Sequence, residues 1–172
     1  TEILLTDDVD TANGSASPVP YDAIRLCVSA PPDVSALGDY DDWYLELVTH
    51  EYTHILHTGN ISGGATIFNA VFGRTLSPNS ANPRWLIEGL AVVQETEHTS
   101  GGRGRGTLFD TFLRADVLDD RIARLDQISG ATVRYPQGNL WYLYGSKFLR
   151  WISDVYGPDT MPAVAADYSA SL

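Results

Sequence analysis

Three of the four histidines fall within eight positions of the stretch LVTHEYTHILH, residues 47–57, and Glu51 directly follows the first of them. Placed on a helix at about 100° per residue, His54 lies about 40° from His50 and His57 about 20° to the other side, so the imidazoles share a face. Tyr44, Leu45, Val48, Tyr52, Ile55 and Leu56 gather opposite, as the expected packing face. Side chains four apart on a helix are neighbours, so the rings of His50 and His54 can converge on one ion. Glu51, about a quarter-turn round, can reach a water from the side. Two imidazoles suit zinc, and a carboxylate beside an activated water is a general base, so the chemistry this pattern can support is hydrolysis. His-Glu-x-x-His is short enough to arise by accident, and a third ligand is required.

The segment SANPRWLIEGLAVVQE, 80–95, supplies a candidate. Asn82 is placed to cap a helix with Pro83 at its first position, and the run Trp85, Leu86, Ile87 leads into Glu88. A carboxylate set among apolar residues needs a cation or several hydrogen bonds, and zinc would be such a cation. The plainer alternative makes Glu88 an exposed acid on a polar stripe with Arg84 and Glu95. Gly89 is a poor helix former that lets another backbone come close. His57 faces the metal side, but three rings on one straight helix do not readily surround an ion, which leaves it a supporting or surface role. His98 reads as a solvated helix end.

HEYTH followed by WLIEGLA resembles the gluzincin metallopeptidases, the zincin group that includes thermolysin-like enzymes and zinc aminopeptidases. The nearest likeness is to bacterial peptidase-MA-like domains, some of which carry a β-propeller downstream. The resemblance implies one Zn²⁺ held by His50, His54 and Glu88, Glu51 as general base, and a peptide or protein substrate. It also suggests an extracytoplasmic location. In WYLYGSKFLRW, Tyr142 and Gly145 hold the Tyr-x-x-Gly spacing of a family tyrosine that stabilises the tetrahedral intermediate. Tyr144 is the rival, and core packing is the default for any aromatic of this cluster. By position, NGSASPVP matches the edge strand on which gluzincins lay substrate, with Asn13, Gly14, Ser15 and Ala16 as its binding residues. It lacks the glutamate with which zinc aminopeptidases grip a free α-amine, which favours an endopeptidase. Metzincins turn at a glycine before a third histidine; here His57 and Asn60 stand at those places. Two other classes stay open: a degenerate zincin that binds without catalysis, and a structural zinc or interaction domain.

These residues must be positioned by a chain of 172 residues, 44% hydrophobic, long enough to bury a core without disulfides. Cys27 is the only cysteine, which excludes an internal bridge and a thiolate zinc cluster. Eleven basic against 22 acidic residues argue against a nucleic-acid groove or an anionic membrane as partner, and no apolar run can span a bilayer. TEILLT and DAIRLCVSA read as strands joined by a long loop or wide hairpin. Helical periodicity predicts helices near 39–58, 62–73, 83–98, 106–117 and 138–156, with a frayed one after Pro158. SGGRGRG, 100–106, reads as a flexible loop. Asp7, Asp8 and Asp10 fail the calcium-loop pattern, since Ala12, Asn13 and Val19 occupy key places, and read as solvated turn residues. The expected fold is α+β and zincin-like, a single domain spanning 1–172. A small sheet and the zinc helix would fill about 1–60 and a helical lobe about 61–172. The unterminated end suggests a piece of a larger protein.

Overall fold

The computed structural model describes residues 1–130 and 139–170. Three strands, β1 (Glu2–Thr6), β2 (Gly14–Ser17) and β3 (Ala23–Cys27), form one sheet in the order β1-β3-β2. Six helices follow: α1 (Trp43–Thr58), α2 (Gly63–Phe72), α3 (Arg84–His98), α4 (Thr107–Leu118), α5 (Asn139–Tyr156) and α6 (Thr160–Ser169). The architecture is mixed, with the strands preceding the helices, as the α+β expectation had it. No helix among the described residues is long and apolar enough to cross a membrane.

Of the two expected connections, a long loop or a wide hairpin, the strands are joined by the long one. β1 and β3 run parallel, with Ile3 opposite Ile24 and Leu5 opposite Leu26. The connection between them contributes β2, which pairs antiparallel with β3, Gly14 opposite Leu26 and Ala16 opposite Ile24. Because side chains alternate across a strand, Ile24, Leu26, Gly14 and Ala16 share one face. That face meets α1: Ile24 and Leu26 are buried with Trp43, Leu47 and Ile55, and Ala16 packs against the same cluster. GSAS has weak strand propensity, and its extended form depends on pairing with β3. β2 is the outer strand on its side of the sheet, as expected for NGSASPVP.

Helix α1 begins at Trp43, four residues later than the periodicity suggested, because the Asp42 carboxylate caps it by accepting from the Leu45 amide at 3.0 Å. The face opposite the histidines is only partly covered. Ile55 is buried, whereas Tyr44, Leu45, Tyr52 and Leu56 are exposed, because the three-stranded sheet reaches only one flank of the helix. Asn82 does not cap α3, which starts at Arg84. Its side-chain amide stands 3.2 Å from His57 Nε2 instead, and the Asn79 amide donates to the His57 carbonyl at 2.9 Å. His57 is therefore buried in a polar contact between α1 and the 78–81 turn, not on the surface. His98 is exposed at the end of α3, as expected.

α3 and α5 form the most extensive helix pairing, and they touch backbone to backbone. A methyl group on Gly89 would lie 2.5 Å from the Gly145 carbonyl carbon, and one on Gly145 would overlap the Trp85 carbonyl oxygen. Two glycines facing one another bring the axes closer than side chains permit. Below the crossing, Leu86, Val93, Leu149 and Met161 form a buried cluster. Gly145→Ala should therefore cost about 1–3 kcal/mol by overpacking. Gly130→Ala meets open space and should stay within about 0.5 kcal/mol. Thermal unfolding of both variants checks this, and an unshifted Tm for Gly145→Ala would mean that the crossing yields freely.

Candidate metal centre

α1 and α3 bring His50, His54 and Glu88 together. The two Nε2 atoms stand 3.2 Å apart. Glu88 Oε2 is 3.5 Å from His50 Nε2 and 3.3 Å from His54 Nε2. Three donors at 2.0–2.1 Å from a tetrahedral zinc must stand about 3.3–3.4 Å from one another, and this nearly equilateral triangle has that size. Glu88 Oε2 is buried with no other hydrogen-bond partner. The donor set and spacing fit one zinc ion. Glu88 is not on an exposed stripe: its side chain is 12% accessible, and its other oxygen faces Arg84 Nη1 at 3.6 Å. Burial opposes its ionisation, but hydrogen bonds and charge from His50 and His54 hold the carboxyl well below the usual carboxylate range. His57 lies outside the triangle.

Behind His50 lies a network absent from the sequence-based expectations. Glu95, 1% exposed, accepts from His50 Nδ1 at 2.8 Å. It also accepts from Arg103 through Nε at 2.9 Å, Nη2 at 2.7 Å and the backbone amide at 3.0 Å. Arg103 Nη2 is 2.7 Å from His50 Nδ1. With Nε2 used for a metal, Nδ1 must carry hydrogen, so this close approach is between two donors that share Glu95 Oε2. A carboxylate behind a ligating histidine fixes the ring and its tautomer. The alternative that sets Glu95 on an exposed polar stripe fails, since it is buried; the 100–106 segment is a loop, but Arg103 within it is drawn in to neutralise the buried acid. Burial and Arg103 disfavour a proton on His50, yet bonds from Glu88 and Glu95 outweigh them and raise its proton affinity. Zinc must displace that proton, so metal binding weakens as pH falls.

Glu51 is buried beside the triangle, and burial pushes its carboxyl up. β2 passes directly over it: a methyl on Gly14 would lie 2.7 Å from Glu51 Oε1. Only a glycine in this register lets the strand approach without displacing the carboxylate.

α5 supplies Tyr142, whose ring centroid is 6.1 Å from that of His50 and which lies under the Arg103 guanidinium at 4.5 Å. Burial, then the charge of Glu88, push the phenol up, so it remains a hydrogen-bond donor at neutral pH. Tyr144 is in another place. It is buried against Phe109, Ile128 and Leu143, its hydroxyl donates to Asp116 at 2.5 Å and accepts from the Ala123 amide at 3.3 Å.

A cleft of about 650 Å³ joins these parts, bordered by Asn13, Gly14, Ser15 and Ala16 on one side and by His50, Glu51, His54, Glu88, Arg84 and Tyr142 around its floor. Every sequence-nominated site residue borders it; the two that sequence reasoning missed, Glu95 and Arg103, border it as well. The one available signal was a long-reach cation among glycines near a lone acid, which is too common to single out.

Arg103→Met would strand the Glu95 charge and should lower stability by about 3–5 kcal/mol. Arg103→Met with Glu95→Leu removes both charges and should regain most of that loss while binding zinc about 10-fold to 100-fold more weakly, since His50 Nδ1 then has no carboxylate acceptor. Denaturant unfolding and chelator competition measure the two effects, and unchanged zinc affinity in the double variant would separate Glu95 from the metal centre.

No family model, no curated protein and no solved structure matches this chain.

Proposed function

We propose that the chain is a gluzincin-like zinc peptidase domain that hydrolyses peptide bonds, with an endopeptidase cleft. The observation that carries this reading is the triangle of His50, His54 and Glu88 at zinc-ligand spacing, with Glu51 beside it and an open strand edge above it. Three ligands leave one tetrahedral position for water or substrate, where a structural zinc site would have four. Among the described residues no fourth His, Cys, Asp or Glu joins the set.

A zinc ion held there would act as a Lewis acid on the peptide carbonyl and bring the pKa of a water near neutrality. The chain's own groups do the rest. The outer edge of β2, from Asn13 to Ala16, offers backbone hydrogen bonds to an extended peptide, and its small side chains let that peptide lie close. Glu51 takes the proton of the attacking water and returns it to the leaving amine, for which a carboxyl of raised basicity is suited. Tyr142 donates to the oxygen that becomes negative as the carbonyl turns tetrahedral. The network behind His50 holds the first ligand in one orientation, so that little reorganisation is needed during reaction.

The deciding measurement pairs zinc content with hydrolysis of an unstructured protein such as casein. The chain should bind one zinc per molecule and cleave; Glu51→Gln should keep the zinc and lose cleavage, because an amide cannot accept the water's proton. Full activity in Glu51→Gln would exclude it as the base, and zinc binding with no hydrolysis on any protein substrate would favour a binding module of the same fold. Tyr142→Phe should lower kcat by about 10²-fold to 10³-fold with KM nearly unchanged. Tyr144→Phe should affect stability through Asp116 and leave kcat alone; the reverse pattern would reassign the oxyanion donor.

A further inference from the structure

Beyond His50, towards the N-terminus of α1, the cleft is also lined by Leu37, Trp43, Glu46 and Leu47. Glu46 is 3% exposed, and its Oε2 is buried with no hydrogen-bond partner. Trp43 is 5% exposed, and its indole Nε1 is likewise buried and unpartnered. The space Oε2 occupies exists because residue 101 is glycine: a methyl there would lie 2.7 Å away. Arg103, the nearest cation, is committed on its Nε and Nη2 atoms to Glu95. An ionised acid buried without a dedicated counter-cation is costly, and a buried polar atom left without a partner calls for an explanation. The cost is visible in its basicity. Burial first and Glu95 second push Glu46 up to about 7, with the Gly102 amide and Arg103 only partly offsetting them.

We propose that Glu46 is the acceptor for a cationic nitrogen of the substrate, held in the part of the cleft one helical turn from His50. The apolar side chains of Leu37, Trp43 and Leu47 line the same part and fit an aliphatic stem, with the Glu46 carboxyl among them to meet an ammonium or guanidinium group. Such a cation would favour the ionised form of Glu46 and relieve the missing pairing. The nitrogen comes from one of two sources, a lysine or arginine side chain near the scissile bond or the free α-amine of the peptide. This assignment rests on the peptide-hydrolysis reading for the nature of the ligand but is measured by binding alone.

The test uses the zinc-loaded Glu51→Gln chain and fluorescein-labelled decapeptides, titrated by anisotropy. Lysine or norleucine stands at a single position moved along the peptide, and each is made with a free and an acetylated N-terminus. A buried charge pair should make binding of the best lysine peptide at least about 10-fold tighter than its norleucine twin. The preference should vanish when Glu46→Gln is added, with zinc content unchanged. If acetylation instead removes the affinity and lysine has no effect, the amine is the peptide terminus and Glu46 still holds it, provided Glu46→Gln removes that dependence. Glu46→Leu is the second variant, expected to favour norleucine. Equal affinity for all four peptides, or a preference that survives Glu46→Gln, overturns the assignment. Casein hydrolysis by the unmodified chain in that event leaves the peptidase reading standing, whereas lysine-selective binding with no hydrolysis anywhere removes that reading and keeps the amine site.

Discussion

The carboxylate of Glu95 is the constraint around which the candidate metal centre is arranged. An acid at 1% exposure is tolerated only when its charge is met and its lone pairs are filled. Glu95 achieves both with two side chains and one backbone amide from Arg103 and His50. Each of these bonds has a structural result. The His50 bond orients the first ligand ring and ties α1 to α3 across 45 residues of sequence. The Arg103 bonds draw a glycine-rich segment inward and hold it there, and the same guanidinium covers the Tyr142 ring on α5. One buried charge thus links three helices and a loop at the point where the candidate chemistry is arranged.

The close crossing of α3 and α5 complements this. Gly89 follows Glu88 directly, and Gly145 is three residues from Tyr142, so the contact between the glycines sets how near the tyrosine stands to the Glu88 carboxylate. Packing at the crossing, at Gly89 beside Glu88, and polar bonding around Glu95 both act on α3, and together they leave Glu88 little freedom. On the other side of the centre, the register of β2 performs a similar service for Glu51, because the residue that faces the carboxylate is the one without a side chain.

Charge also has a local balance. Four glutamates, Glu46, Glu51, Glu88 and Glu95, border the cleft against two arginines, Arg84 and Arg103. The acids outnumber the bases there, in keeping with the acidic balance of the whole chain, and a negative cleft favours cations over anions. Within that balance the acids stand in different places. Glu95 is neutralised by Arg103, Glu88 stands with His50 and His54 in the candidate triangle, Glu51 lies beside it under β2, and Glu46 Oε2 is buried without a hydrogen-bond partner.

What the sequence determined by itself was local. The spacing of His50, Glu51 and His54 on a helix, the carboxylate of Glu88 on a second helix and the close approach signalled by Gly89 follow from periodicity and residue chemistry, which act over one or two turns, whereas the outer strand at Gly14–Ser17 is suggested by the family resemblance alone. What only the tertiary structure decided were relations between distant segments. Glu95 looks like any polar position of an amphipathic helix until Arg103 is folded against it, and Arg103 looks like part of a loose glycine-rich loop until a buried acid draws it in. The parallel pairing of β1 with β3, the use of Asn82 for His57 in place of a helix cap, and the assignment of Tyr142 to the cleft and Tyr144 to Asp116 have the same origin. A helical period states which side chains share a face, but which face meets another element is set by packing and by the need of each buried polar group for a partner, and those partners lie tens of residues away in the chain.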